Sequence, residues 1–208
     1  MMQSANSIII LANGSFPNHS YPEKILQNIK PIICTDGSAD KLIESGITPQ
    51  YIIGDMDSLN KPIYSYHSKM IEISNQNNTD LEKAIEWCIS NNFKIIQILG
   101  AVGLRDDHGL SNFMLLAKFY NRADISIITD FSTIICMSGD KTFETYPGQN
   151  ISIVAIETVQ SITTHGLTFT LNDEKLKPGS RGISNSAISN EMTIQTSGKI
   201  LIFFAHKS

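Results

Sequence analysis

Cysteine is scarce in this chain. The three present, Cys34, Cys88 and Cys136, are odd in number and widely spaced. They form no metal-binding pattern and do not suit a secreted disulfide framework, so they read as small buried residues in a reducing compartment. Blocks of Lys and Arg are also missing. With 16 basic and 20 acidic residues and a formal charge of −4, the chain carries no visible footprint for nucleic acid. Nor is there a long hydrophobic run. The first apolar stretch, residues 8–12, is too short to span a bilayer and has no basic region before it. That predicts a soluble, cytoplasmic protein with no membrane partner. The lone tryptophan, Trp87, lies beside an apolar helical stripe and reads as core. Internal repeats and low-complexity segments are absent too.

What is present is ordinary globular composition, 41% hydrophobic and 17% charged, with enough length for one large domain or two small ones. The first two thirds alternate apolar runs with helix-like stretches. The runs are residues 8–12, 31–34, 51–53, 95–99 and 125–128. Nearly continuous β-branched runs suit strands covered on both faces, as in a parallel sheet flanked by helices. Helices are expected over 21–28, over 40–45 with Gly46 as its stop, and over 80–90, where Leu81, Ala84, Ile85 and Cys88 repeat at helical spacing behind a Thr79 N-cap. Leu110, Phe113, Met114 and Ala117 mark another. With Leu115 and Leu116 it is apolar nearly all round, which predicts deep packing against the sheet, with His108 and Asn112 opposite the buried stripe. After Ser138-Gly139-Asp140 helical spacing stops. Short alternating runs at 151–156, 167–171, 191–195 and 199–204, separated by turn pairs such as Pro147-Gly148 and Ser197-Gly198, read as antiparallel hairpins. The expected fold class is therefore α/β: residues 1–138 as a mostly parallel sheet with flanking helices, and residues 139–208 as a smaller antiparallel β domain.

Four of the apolar runs end in glycine-bearing loops, the first three with Asp or Asn as well: Asn13-Gly14, Thr35-Asp36-Gly37-Ser38, Gly54-Asp55-Met56-Asp57-Ser58, and Gly100-Ala101-Val102-Gly103. Ligands of open α/β sheets bind outside the carboxyl ends of the strands, so these loops are candidates to line one crevice. In extended backbone Asp55 and Asp57 point to the same side and offer two hard oxygen ligands, suited to Mg²⁺ holding a polyphosphate. The plainer alternative is a turn or a helix cap. Asp80 likewise is either an ordinary helix start or a first-turn carboxylate facing a cation. In the 100–112 segment, glycines allow close backbone approach, Arg105 can fork onto phosphate, and Asp107-His108 opens the helix. His19, His67, His165 and His206 have no partners at recognisable spacing.

Taken together, these motifs resemble the thiamine pyrophosphokinase family. The matching segments are Thr35-Asp36-Gly37-Ser38, Ser45-Gly46-Ile47-Thr48-Pro49 followed by Gly54-Asp55-Met56-Asp57-Ser58, Thr79-Asp80-Leu81-Glu82-Lys83-Ala84, the glycine-rich run from Gly100 to His108 with Asn112, and Gly182-Ile183-Ser184-Asn185. The resemblance implies an N-terminal α/β domain, a C-terminal β-sandwich, and a homodimer with each site between one subunit's nucleotide domain and the other's β domain. It implies the reaction of ATP with thiamine to give thiamine diphosphate and AMP. Carried over residue by residue, Asp55, Asp57 and Asp80 would hold Mg²⁺. Asp36, Arg105, Asp107, His108 and Asn112 would position ATP, and Ser184 and Asn185 would meet thiamine. No general base is assigned.

The chain departs from the family at Asn77, where an acid is usual, and at Leu104, where glycine is frequent. Some members stack thiamine on a tryptophan of the β domain, and this chain has none there. Two alternatives remain open at this point: a Mg²⁺-dependent phosphatase or sugar-nucleotide transferase using the Asp-x-Asp pair, and a non-catalytic thiamine or nucleotide sensor.

Overall fold

In the computed structural model, which describes residues 6–28 and 31–207, the apolar runs become strands. One unit ends at Asp130 and a second begins at Phe131. The first contains β1 (Ser7–Leu11), α1 (Ser20–Asn28), β2 (Ile32–Thr35), α2 (Asp36–Glu44), β3 (Tyr51–Gly54), β4 (Lys69–Glu72), α3 (Asp80–Ser90), β5 (Ile95–Leu99), α4 (Asp106–Phe119) and β6 (Asp124–Ile128). Its strands lie in the order β6-β5-β1-β2-β3-β4, and every pairing among them is parallel. The central strands are buried on both faces: all four residues of β2 and the last four of β1 are covered. Parallel crossovers place helices over both faces, which is why these strands lack polar alternation.

Chain order and spatial order diverge at one place. From β1 the chain steps outward through β2, β3 and β4, then returns to the other side of β1 as β5. The crevice at the ends of β1 and β5 is thus the topological switch point, where loops leave in opposite directions and open a cleft. Hydrogen bonding continues past the strand ends there. Ala12 N donates to Leu99 O (2.9 Å), Gly14 N to Gly100 O (2.7 Å) and Ser15 N to Val102 O (2.8 Å). A Cβ on Gly14 would sit 2.3 Å from Gly100 O, so only glycine permits this approach.

Several local expectations are corrected. Helix α2 begins at Asp36 rather than at 40, because Thr35 is extended and passes straight from strand into helix. β4 was not expected; its exposed Lys69 and Glu72 belong to an edge strand and blur its apolar pattern. α4 buries Gly109, Asn112, Leu115, Leu116 and Phe119, while Leu110 and Met114 are exposed. A helix apolar nearly all round does not announce which face is inward, and the stripe read from Leu110 was the outer one.

The second unit comprises β7 (Ser132–Glu144), β8 (Asn150–Ala155), β9 (Val159–His165), β10 (Glu174–Leu176), β11 (Asn185–Ser186) and β12 (Glu191–Ala205), all antiparallel in their pairings. The two segments expected as a hairpin around Ser197-Gly198 form the single strand β12, and the turn pair becomes a register irregularity between Thr196 and Ile200. There β12 exchanges β9 for β8 as its neighbour. Such a switch folds antiparallel strands over a shared core, here built by Ile151, Ile153, Val159, Ile162, Met192, Ile194 and Ile202 among others. The expected strand at 167–171 contributes only an isolated bridge from Leu167 to Ala187. The change in texture at 138/139 falls inside β7, eight residues after the division between units, since Gly139 continues the strand at φ +85° instead of ending it. Among the described residues, no helix is long and apolar enough to cross a membrane.

Candidate active site

The first unit's switch point opens into a cleft of about 440 Å³, within the usual span of small-molecule sites. The loops after β1, β2, β3 and β5 supply its walls, together with the first turns of α3 and α4. A wider depression of about 680 Å³ lies at the other end of the sheet, beside Tyr51 and Lys69, the first residues of β3 and β4. It holds no convergent carboxylates, and ligands of such sheets bind at the opposite ends.

Asp36 is the first residue of α2 and is buried. Its Oδ1 accepts from Gly37 N at 2.7 Å and its Oδ2 from Met56 N at 3.1 Å, so it clasps the loop after β3. Gly54 makes that clasp possible, because a Cβ there would lie 2.6 Å from Asp36 Cγ. Met56 then turns at φ +67°, and Asp57 N approaches Asp55 Oδ1 at 3.4 Å. A tight turn, not the extended i, i+2 geometry read from sequence, brings Asp55 and Asp57 together. One carboxylate oxygen each from Asp36, Asp55 and Asp57 lie within 4.8 Å of one another.

These residues fit a hard divalent ion. Mg²⁺ takes oxygen ligands at about 2.1 Å, so opposed ligands stand about 4.2 Å apart. Crowding of like charge is already felt: burial first, then the neighbouring carboxylates of Asp80, Asp55 and Asp57, push the Asp36 carboxyl above its ordinary range against the opposing Gly37 hydrogen bond. Asp55 is held low, chiefly by Gln76, whose Nε2 donates to Asp55 Oδ2 at 3.0 Å.

Asp80 shares the cleft but stands outside that triad. It opens α3 behind Thr79, whose side chain accepts from Glu82 N, and its Oδ1 receives Lys83 Nζ at 2.9 Å. Lys83 is only 4% exposed although it lies off the helix's apolar stripe; the cleft, not the core, covers it. The repeat of Leu81, Ala84, Ile85 and Cys88 does not include it and gave no sign of its burial. The available signal was its i, i+3 spacing from Asp80.

Arg105 and His108 line the cleft. Asp107 does not; its carboxylate forks with Arg105 at 2.6 and 3.1 Å and caps His108 N. The Arg105 hydrogen bond is the main reason Asp107 is held down at about 2. Asn112, expected on the exposed face, is buried at the cleft and donates to Ala101 O at 2.7 Å, fixing the loop after β5. Leu104 is exposed at the cleft mouth. Asn77 lies outside the lining, whereas Gln76 and Asn78 belong to it.

In the second unit, Ser184 is exposed at φ +58°, with its N donating to Ser152 Oγ. Asn185 is buried and its amide is spent on backbone. Oδ1 accepts from Phe169 N (3.0 Å) and Ser186 N (2.9 Å), and Nδ2 donates to Phe169 O (2.6 Å). Both polar groups of residue 169 are thereby pinned while its ring stays 70% exposed. Phe169, Ile183, Arg181 and Asn185 border a pocket of about 160 Å³.

Two family profiles cover most of the chain: "Thiamin pyrophosphokinase, catalytic domain" over residues 22–129 and "Thiamin pyrophosphokinase, substrate-binding domain" over 133–203. The thiamine pyrophosphokinase of Bacillus subtilis is 30% identical over 82% of this chain and 84% of its own length. Thiamin pyrophosphokinase 1 of Caenorhabditis elegans is 25% identical over 96% and 89%. Among solved structures, that of the Bacillus subtilis protein superposes with a TM-score of 0.83 at 24% identity, covering 97% of this chain and 100% of the other. The Candida albicans protein gives 0.83 at 18%, covering 97% and 89%. These likenesses show the fold. Neither the phosphatase or sugar-nucleotide transferase reading nor the sensor reading finds support among them.

Proposed function

The chain is an enzyme of the thiamin pyrophosphokinase family, which transfers a pyrophosphoryl group from ATP to thiamine, and from that premise we propose that the acidic cleft is where the transfer occurs. The observation that carries the reading is the convergence of Asp36, Asp55 and Asp57 at the switch point, beside the one lysine buried among the cleft's described residues. Asp55 and Asp57 would hold Mg²⁺, together with Asp36 of the same triad and Asp80, which lines the same cleft. When bound, the ion supplies charge neutralisation and a template for the polyphosphate. Lys83 and Arg105 face the phosphates, the latter oriented by Asp107 as a fork suited to phosphate oxygens. His108 borders the nucleotide, and Asn112 keeps the β5 loop in place for it. The thiamine hydroxyl oxygen attacks the β-phosphorus, the bond from that phosphorus to the α-phosphate's bridging oxygen breaks, AMP departs, and the hydroxyl proton is released to solvent. Orienting reactants and stabilising charge account for most of the rate in such transfers.

The test is product stoichiometry. With ATP, Mg²⁺ and thiamine, AMP is expected to form in step with thiamine diphosphate, and chelation is expected to stop both. Release of ADP or free phosphate instead would overturn the reading.

For thiamine, Ser184 and the ring of Phe169 are the contacts we assign, with Asn185 acting through the backbone it pins. Asn185→Ala is expected to raise the thiamine KM about tenfold, since it frees residue 169 and leaves backbone groups unpartnered. The ATP KM should hold, and steady-state kinetics in each substrate checks this. The active form is proposed to be a homodimer in which one subunit's cleft works with the other's thiamine face. Mixing Asp57→Asn subunits with Ser184→Ala subunits is then expected to restore part of the activity, because one hybrid site carries neither change. Heterodimers that stay inactive would count against the shared site.

A further inference from the structure

Asp40 lies one turn after Asp36 on α2, on the same buried side, and the reaction described above gives it no part. Its Oδ2 accepts from Asn60 N at 3.1 Å and from Asn60 Nδ2 at 2.8 Å, and its Oδ1 accepts from the Tyr66 hydroxyl at 2.9 Å. That hydroxyl in turn accepts from Lys61 N at 3.0 Å. Tyr66 is among the largest fully buried side chains, its ring packed in the core with Leu42 and Ile52. One helix thus fastens the loop after β3 at two points: Asp36 holds it at Met56, and Asp40 holds it at Asn60 and, through the Tyr66 hydroxyl, at Lys61. Between the fastenings lie only residues 57–59, and Leu59 is itself packed against the same core. Asp57 therefore rides on a short arch whose feet are both set by carboxylates of α2.

We propose that Asp40 and Tyr66 are positioning residues for the metal site, acting through Asn60 and Lys61 to hold the Asp57 carboxylate against those of Asp55 and Asp36. The inference rests on the reading that this triad binds a divalent ion. A site with a hydrogen-bonded supporting layer binds its ion more tightly, and removing such a partner commonly costs about 10–100-fold in affinity.

The experiment is Mn²⁺ binding to the nucleotide-free protein, followed by the electron paramagnetic resonance signal of free Mn²⁺, with thermal unfolding measured alongside. Tyr66→Phe keeps the ring and removes both hydroxyl hydrogen bonds; it is expected to weaken Mn²⁺ binding about tenfold. Asn60→Ala, at an exposed position where folding is not at risk, is expected to weaken it about threefold. In an Asp57→Asn background neither change should weaken residual binding further, because the carboxylate they position is gone. If Asp57→Asn itself leaves Mn²⁺ affinity at the wild-type value, the metal reading fails. If Asp57→Asn loses the ion while Tyr66→Phe and Asn60→Ala bind it like wild type, whatever their thermal midpoints, the positioning role is overturned. Tyr66→Phe effects that persist undiminished in the Asp57→Asn background overturn it as well.

Discussion

Asp57→Asn is expected to lower thiamine diphosphate formation on the order of a thousandfold while leaving the fold intact. The side chain is exposed and contributes nothing to the core. Asparagine also retains an Oδ1 to accept from Ser58 Oγ, now 2.9 Å away. What disappears is one of three negative charges aimed at a common point. Without metal, that change relieves repulsion, so the thermal midpoint of the metal-free variant should equal or exceed that of the wild type. With metal the order reverses. An ion present at a hundred times its dissociation constant stabilises a protein that binds it by about 2.7 kcal/mol, and the variant should gain far less. Turnover near the wild-type rate would take Asp57 out of the chemistry.

Lys83→Met carries the second large effect, with an opposite signature toward the ion. Methionine preserves most of the stem's volume, so the change removes a charge more than it removes packing. Asp80 loses its partner but is a third exposed and can be solvated by water, so the fold should survive. The remaining cleft is a set of carboxylates with less positive charge to face a polyphosphate tail. Turnover is expected to fall about 100-fold to 1,000-fold, with a higher ATP KM. Divalent-ion binding to the nucleotide-free protein should strengthen, because a cation that competes for the same carboxylates has gone. Loss of turnover with an unchanged ATP KM would separate Lys83 from the phosphates. Titrating ion and nucleotide separately resolves the two effects.

The legible parts of this fold are those where one demand acted on each residue. β1, β2, β3, β5 and β6 sit where the apolar runs put them, because strands covered on both faces leave no room for polar alternation. α3 occupies residues 80–90 as its spacing and the Thr79 cap foretold. Legibility failed where two demands met. α4 must cover the sheet and also present Asn112 to the cleft, and with apolar residues on every side its inward face was misread. β9 reads Val-Gln-Ser-Ile-Thr-Thr-His, where Thr164 fills a buried place usually marked by a larger apolar group. In the cleft, Asp55, Asp57, Asp80 and Arg105 were visible as residue types in suggestive company. The burial of Lys83 had only its spacing from Asp80 to announce it, and the spending of Asn185 on the backbone of Phe169 was not visible, since that partner is distant in sequence.

The hydrogen bonds that run beyond β1 and β5, joining residues 12, 14 and 15 to 99, 100 and 102, bear on the thermodynamics of nucleotide capture. Ordering a slack loop around a guest forfeits chain freedom, roughly 1–2 kcal/mol for each residue fixed. Here that forfeit was made when the domain folded, so the floor of the proposed nucleotide cleft is a standing surface instead of one moulded at each encounter. Discrimination among nucleotides then falls to the rim, and a tighter or looser relative is more readily obtained by changing its side chains than by remaking the base.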